Sequence, residues 1–252
     1  MPPLKARGII LRKYELRETS YILIVYTREY GKLHGVIKGV RKPYPQFAGD
    51  FEIFTLVDLL YYPSRKKNLD LITRCDAMDF FLPVRKEIER LTYANYYIEL
   101  IEIVTVDNDP DQVLFDLLEN ALRLLASGAS AKRITRIFEI KLLTAIGLGP
   151  ELGICTRCGS AEKELLYFEV PGGAVCRECV SSGKKAVKVS KGSLNFLLKV
   201  QKSDISKAAQ VKVSREVGRQ IEVLLRRLIA YQIHRPVRSL AFLESIEKQK
   251  VL

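Results

Sequence analysis

Two Cys-x-x-Cys pairs, Cys155/Cys158 and Cys176/Cys179, stand seventeen residues apart in a chain of 252. No other feature limits the fold as much. A tight turn can aim both sulfurs of a pair at one point, and two such pairs complete a tetrahedron with sulfurs about 2.3 Å from the metal. The intervening chain must therefore fold back on itself, and Pro171-Gly-Gly173 lies where that hairpin is needed. Gly159 follows the first pair, while Val175 and Val180 flank the second and are placed to pack beneath it. Four thiolates leave no coordination position for water, so the expectation is one structural Zn2+. Disulfides or a redox dithiol fit less well, because no secretory signal is visible and a thioredoxin-like motif would be a single pair on a βαβ unit. An iron–sulfur cluster uses the same four ligands and stays open on spacing alone. Cys75 lies outside the set, in a strand-like segment, and reads as a small buried hydrophobe.

The rest of the chain divides by the period of its apolar residues. Alternation of period two marks Gly8–Tyr14, Tyr21–Thr27, Lys32–Val40, Phe51–Tyr62 and Leu69–Ala77 as strands. Gly31 makes a tight hairpin possible between the second and third. Five strands in about 75 residues suit a small closed barrel of the OB type better than a sandwich. After Pro83 the period becomes helical: Ile88, Leu91, Ala94, Ile98 and Ile101 share one helical face. Asp109-Pro110 predicts the start of a helix to Ala126, Ser130 caps another through Ala145, and Ser190 and Ser214 open two more. The expected class is α+β: an OB-fold barrel over 1–82, then a helical domain over 83–252 carrying the zinc insertion at about 150–186.

Chemistry of the enzymatic kind finds little support. His34 and His234 are the only histidines and neither lies in a catalytic motif. Phosphate-loop and dinucleotide fingerprints are absent, and Asp76 and Asp79 read as solvated turn residues rather than nuclease metal ligands. No catalytic residue is assigned. A zinc-containing nuclease or RNA-processing enzyme is the alternative reading.

The formal charge is +12, which favours a polyanionic partner, because Lys and Arg release counterions condensed on phosphates. The first 42 residues hold ten basic and three acidic side chains. Lys38, Arg41 and Lys42 converge on the segment after the third strand and are the leading phosphate contacts, with Arg12 and Lys13 beside them and Tyr44 as a base-stacking residue. Several of the other tyrosines of this region are expected to face the barrel interior. With no apolar run near the ~20 residues that span a bilayer and no signal-peptide core, no membrane contact and a cytoplasmic location are expected.

Taken in order, Gly8-Ile-Ile-Leu-Arg, Glu18-Thr-Ser-Tyr-Ile-Leu, Tyr26-Thr-Arg-Glu-Tyr-Gly-Lys, Lys38-Gly-Val-Arg-Lys, Glu139-Ile-Lys-Leu-Leu, the four cysteines and Arg238-Ser-Leu-Ala-Phe-Leu resemble the RecO family of bacterial recombinational-repair mediators over essentially the whole chain. The resemblance implies an N-terminal OB-fold and a helical C-terminal domain. It also implies binding of single- and double-stranded DNA, strand annealing, and partnership with RecR and single-stranded-DNA-binding protein in loading RecA at the nucleoid. Zinc is not universal in that family, so the metal rests on this chain's own cysteines. Pro43-Tyr-Pro45 stands in the loop where the resemblance implies a more basic stretch. The basic segment Lys132-Arg-Ile-Thr-Arg136 is the candidate seat for an acidic tail of a partner.

Overall fold

The computed structural model describes residues 2–40, 51–64, 69–180 and 186–249, without the side chains of Glu244 and 246–249. Five strands close a barrel: β1 (Leu4–Leu16), β2 (Ser20–Thr27), β3 (Gly31–Ile37), β4 (Leu56–Tyr62) and β5 (Asp70–Asp79), in the order β1-β2-β3-β5-β4. Only β3 and β5 run parallel; the other pairings are antiparallel. This is OB order. Closure depends on the length of β1, whose first half pairs with β4 and whose second half pairs with β2. A bulge between Ile10 and Arg12 adds the bend a closed sheet requires. Ile10, Leu23, Val25, Leu33, Ile37, Val57, Leu59, Ile72 and Cys75 are among the side chains that fill the interior.

Two local details depart from the alternation of the sequence. Phe51–Thr55 is not a strand: Phe54 takes a left-handed conformation at φ 51, and Arg85 lies 4.3 Å over its ring while donating to the Ile53 carbonyl and the Thr55 hydroxyl. Tyr26 is buried, yet it is not part of the barrel core. Its ring packs 6.2 Å from Phe115 and its hydroxyl donates to the Asp111 carbonyl, on the outside of the sheet. Gly31 turns with φ 70 as the hairpin demands, and a Cβ there would lie 2.4 Å from the Asp109 carbonyl oxygen. Glycine is needed twice over at this position, for its φ and for the close approach.

Helices α1 (Leu82–Lys86), α2 (Ile88–Val104) and α3 (Gln112–Ala126) follow. The one-faced α2 of the sequence is instead enclosed: Tyr93, Ala94, Tyr96, Tyr97, Leu100 and Ile101 are all fully buried, while Ile88 at its start is 59% exposed. A helix apolar on every side is one that neighbours surround. Helix α3 begins two residues later than Asp109-Pro110 suggests, with the Asp111 carboxylate accepting from the Leu114 amide as its cap. The final helix, α8 (Arg238–Gln249), returns from the far end of the chain to pack on α2. Its first turn is held by Glu99 of α2, only 9% exposed, whose carboxylate accepts from the Arg238 and Ser239 amides and the Ser239 hydroxyl.

Compactness divides the chain into residues 1–127 with 237–252, and residues 128–236. The change of secondary structure at 82/83 thus falls inside the first unit, whose core takes in α1, α2, α3 and α8 along with the barrel. The second unit holds α4 (Ala131–Ala145), a small sheet of β6 (Leu165–Glu169), β7 (Gly173–Cys176) and β8 (Ala186–Lys188), and helices α5 (Lys191–Lys202), α6 (Ile205–Ala209) and α7 (Arg215–Gln232). Ser190 and Ser214 cap α5 and α7 through their hydroxyls, as their positions predict.

Candidate metal centre and nucleic-acid interface

The hairpin β6-β7 brings Cys176 and Cys179 back to Cys155 and Cys158, and the four Sγ atoms lie within 4.8 Å of one another. Sulfurs about 2.3 Å from a common ion in a tetrahedron are about 3.8 Å apart, so the four fit one thiolate-bound metal ion. The turns that position them are built from backbone. Gly159 has φ 72 and its amide donates to the Cys155 carbonyl, closing the first turn; the Cys179 and Val180 amides both donate to the Cys176 carbonyl in the second. Gly173 has φ 136, and a Cβ there would lie 2.0 Å from the Glu151 carbonyl oxygen, so the hairpin passes Glu151 backbone to backbone. Val175 is buried with Cys155 and Cys176, and Val180, Leu165 and Tyr167 pack against them.

Burial alone would raise the Cys155 thiol, but the amides of Cys176, Cys158 and Arg157 point at its sulfur, and the Cys158 thiol adds to them, bringing it down to about 6. The Cys176 amide is 3.4 Å from that sulfur. Cys179 goes the other way, to about 12, because its thiol donates to the sulfurs of Cys176 and Cys158. A metal ion must displace such protons to gather all four thiolates, so its affinity rises with pH. Cys75 is not part of this centre: it is buried in the barrel, and desolvation, then Asp76, pushes its thiol up to about 12.

The cations expected to form a basic face on the barrel are largely occupied within the first unit. Arg12 meets Glu102 of α2 at 2.7 Å. Lys13 pairs with Glu52 and lies 5.1 Å over the Tyr21 ring. Arg28 holds Asp116 of α3 through two nitrogens at 3.0 and 3.2 Å. Lys32 donates to the Glu102 and Thr105 carbonyls at the C-terminal end of α2, where a cation also complements the helix dipole. His34 reaches Asp107 at 3.2 Å. These interactions pin helices to the barrel wall. Lys38 is exposed just past β3; Arg41, Lys42 and Tyr44, its expected companions, lie outside the described residues.

Other sequence candidates change their meaning. Arg136 is buried, its guanidinium bonded to both oxygens of the fully buried Glu139 and 3.8 Å from Glu222. It helps hold α4 to α7 and is not open to an acidic tail; of that basic segment, Lys132 is exposed and Arg133 half-buried. Asp76 and Asp79 belong to β5 and not to a turn, and they accept from Arg74 and from Arg123 and the Phe81 amide respectively. Sequence reasoning misses Glu99 altogether, since nothing local marks a carboxylate whose partners are 139 and 140 residues away.

Barrel order and cysteine cluster together define an OB-fold protein whose second unit gathers four cysteines that could hold a metal ion. Comparison with known proteins makes this specific. The family described as Recombination protein O N terminal matches residues 1–81, and Recombination protein O C terminal matches residues 85–241. Among curated relatives, the DNA repair protein RecO of Pelotomaculum thermopropionicum is 34% identical over 241 residues, 95% of this chain and 93% of that protein. That of Desulforamulus reducens is 31% identical over 249 residues, 98% and 96%, and that of Acetivibrio thermocellus 26% over 249 residues, 98% of each. The chain belongs to the RecO family of DNA repair proteins, as the order of its segments leads one to expect. Among the described residues no helix is long and apolar enough to cross a membrane.

Proposed function

We propose that this protein is a non-enzymatic mediator of recombinational repair in the bacterial cytoplasm. It binds single- and double-stranded DNA, anneals complementary strands, and acts with RecR and single-stranded-DNA-binding protein to promote loading of RecA. The observation that carries the reading is membership of the RecO family over both halves of the chain, joined to a closed OB barrel, an architecture that binds oligonucleotides on one face and its flanking loops. Residues 1–82 act as the nucleic-acid-binding domain and 83–252 as a helical domain, with the insertion at about 150–186 folded around one structural Zn2+ on Cys155, Cys158, Cys176 and Cys179. Lys38, Arg41 and Lys42 contact phosphates and Tyr44 stacks a base; Arg12 and Lys13, held by Glu102 and Glu52, contribute less.

The test replaces Lys38, Arg41 and Lys42 with Gln. Binding of oligonucleotides weakens equally across sequences, and on a single strand the slope of log affinity against log salt falls by about 0.7 for each phosphate that is no longer neutralised. An unchanged slope and affinity overturn the loop assignment. Labelled strands incubated with Mg2+ or Mn2+ should pair faster and remain uncut. Cleavage that a carboxylate substitution abolishes would replace the mediator with a nuclease.

A further inference from the structure

The charge of the chain is not where its first 42 residues suggest. The unit containing the barrel holds 21 Lys and Arg against 20 Asp and Glu, a net +1, whereas residues 128–236 hold 20 against 9, a net +11. Nearly the whole excess sits in the second unit. Within it, α5 carries no carboxylate and presents Lys191, Lys199 and Lys202 to solvent, spaced i, i+8 and i+11 along one face. Helix α7 presents Arg215, Arg219 and Arg227 on its i, i+4, i+12 ridge, the charges about 6 and 12 Å apart along the axis. Among the described residues none of these six cations has an ion pair, in contrast to the barrel's Arg12, Lys13 and Arg28. The acidic residues of α7 do not cancel them: Glu222 is taken by Arg226 at 2.6 Å and by Arg136, leaving Glu216 alone exposed.

The two helices start from one corner. Gln220 of α7 accepts from the Ser190 amide and the Ser193 hydroxyl at the beginning of α5. Lys191 and Arg215 each occupy the first position of their helix, where the dipole disfavours a cation, and Arg215 and Arg219 are like charges at an unfavourable i, i+4 spacing. Local helix energetics works against this arrangement, and a bound polyanion would relieve both penalties.

We propose that the solvent faces of α5 and α7 form a second phosphate-binding surface, which tracks the backbone of a single DNA strand independently of the loop after β3. This rests on the DNA-binding reading above and extends it: with a surface on each unit, one chain holds two strands and screens their mutual repulsion while they pair.

The test uses the full-length, metal-loaded chain and fluorescein-labelled oligo(dT), with anisotropy followed across a sodium chloride titration. Triple variants Arg215→Gln/Arg219→Gln/Arg227→Gln and Lys191→Gln/Lys199→Gln/Lys202→Gln should each lower the salt slope by about 2, and the affinity at 0.1 M salt by about 100-fold, if all three side chains meet phosphates. The corresponding Arg→Lys triple keeps the slope. A strand immobilised on a surface and already bound by the wild type should capture a second, non-complementary labelled strand, and each triple variant should capture none. The six side chains are exposed and their charges strain the helix starts, so the Gln variants should match or slightly exceed the wild type in thermal midpoint; if one triple misfolds, the other and the Arg→Lys variant still decide. Unchanged slopes in both triples, beside a loop variant that loses binding, overturn this surface and leave the proposed function standing. Oligo(dT) binding that is unchanged while binding of polyglutamate is lost would make the face a seat for acidic protein, and overturns it as well. A wild type that binds no oligonucleotide removes both readings.

Discussion

Replacing Glu99 with Gln should free the last helix. The carboxylate lies in a nearly closed environment, 2.9 Å from the Arg238 amide and 2.8 Å from the Ser239 amide, with the Ser239 hydroxyl as a third donor. Glutamine has the same shape, but it offers one accepting oxygen where three donors converge, and its amide nitrogen faces donors it cannot satisfy. Hydrogen bonds to a charged group contribute about 1.5–3 kcal/mol each against about 0.5–1.5 for neutral ones, and an anion at a helix N-terminus adds about 0.3–1 kcal/mol. Weakening two such bonds and removing the charge therefore costs about 3 kcal/mol, or about 150-fold in the equilibrium for releasing α8 from α2. Hydrogen exchange of peptides covering 238–249 reads that opening directly, and urea unfolding followed by circular dichroism shows whether the effect stays local. Exchange within threefold of the wild type would refute the assignment of Glu99 as the clasp.

Cys176 gives a different kind of prediction, because a structural metal couples directly to folding. Cys176→Ser should lose its metal and lower the thermal midpoint, and DNA affinity should fall only in step with the fraction unfolded; a fully folded, thermally unaffected variant that no longer binds DNA would contradict this. Cys75 should be inert to thiol reagents until the barrel unfolds. Its folded-state pKa is raised to about 12, so the neutral thiol is favoured in the fold, and the stability this supplies is complete below the unfolded value near 8.5–9. Relative to Cys75→Ala, the wild type should then lose about 1.4 kcal/mol per pH unit between about pH 9 and 12; parallel stability profiles for the two proteins would rule it out.

Where short-range chemistry decides an element, the sequence is legible. The spacing of Cys155, Cys158, Cys176 and Cys179 contains the four-cysteine cluster, since each pair is one turn and a hairpin joins them. Alternation places all five barrel strands, and Ser190 and Ser214 mark helix starts whose caps are local hydrogen bonds. Phe51–Thr55 escapes such reading because alternation is blind to a left-handed residue held by a guanidinium thirty residues on. The one-faced reading of α2 fails for a related cause: a stripe of period 3.6 cannot reveal how many neighbours will cover the remaining faces.

Charge separates the two kinds of information most clearly. The sequence by itself determined the +12, the barrel, the four-cysteine cluster and the family. Only the tertiary structure decided which cations remain free. Arg12, Arg28 and Lys32 stand in a stretch poor in acids, yet they meet Glu102, Asp116 and Asp107 of segments that lie 75 to 90 residues further along. Lys191, Lys199, Lys202, Arg215, Arg219 and Arg227 keep no such partners among the described residues. Coulomb attraction depends on distance in space, and that distance is set when helices pack against the barrel, not by the order in which charges follow one another along the chain.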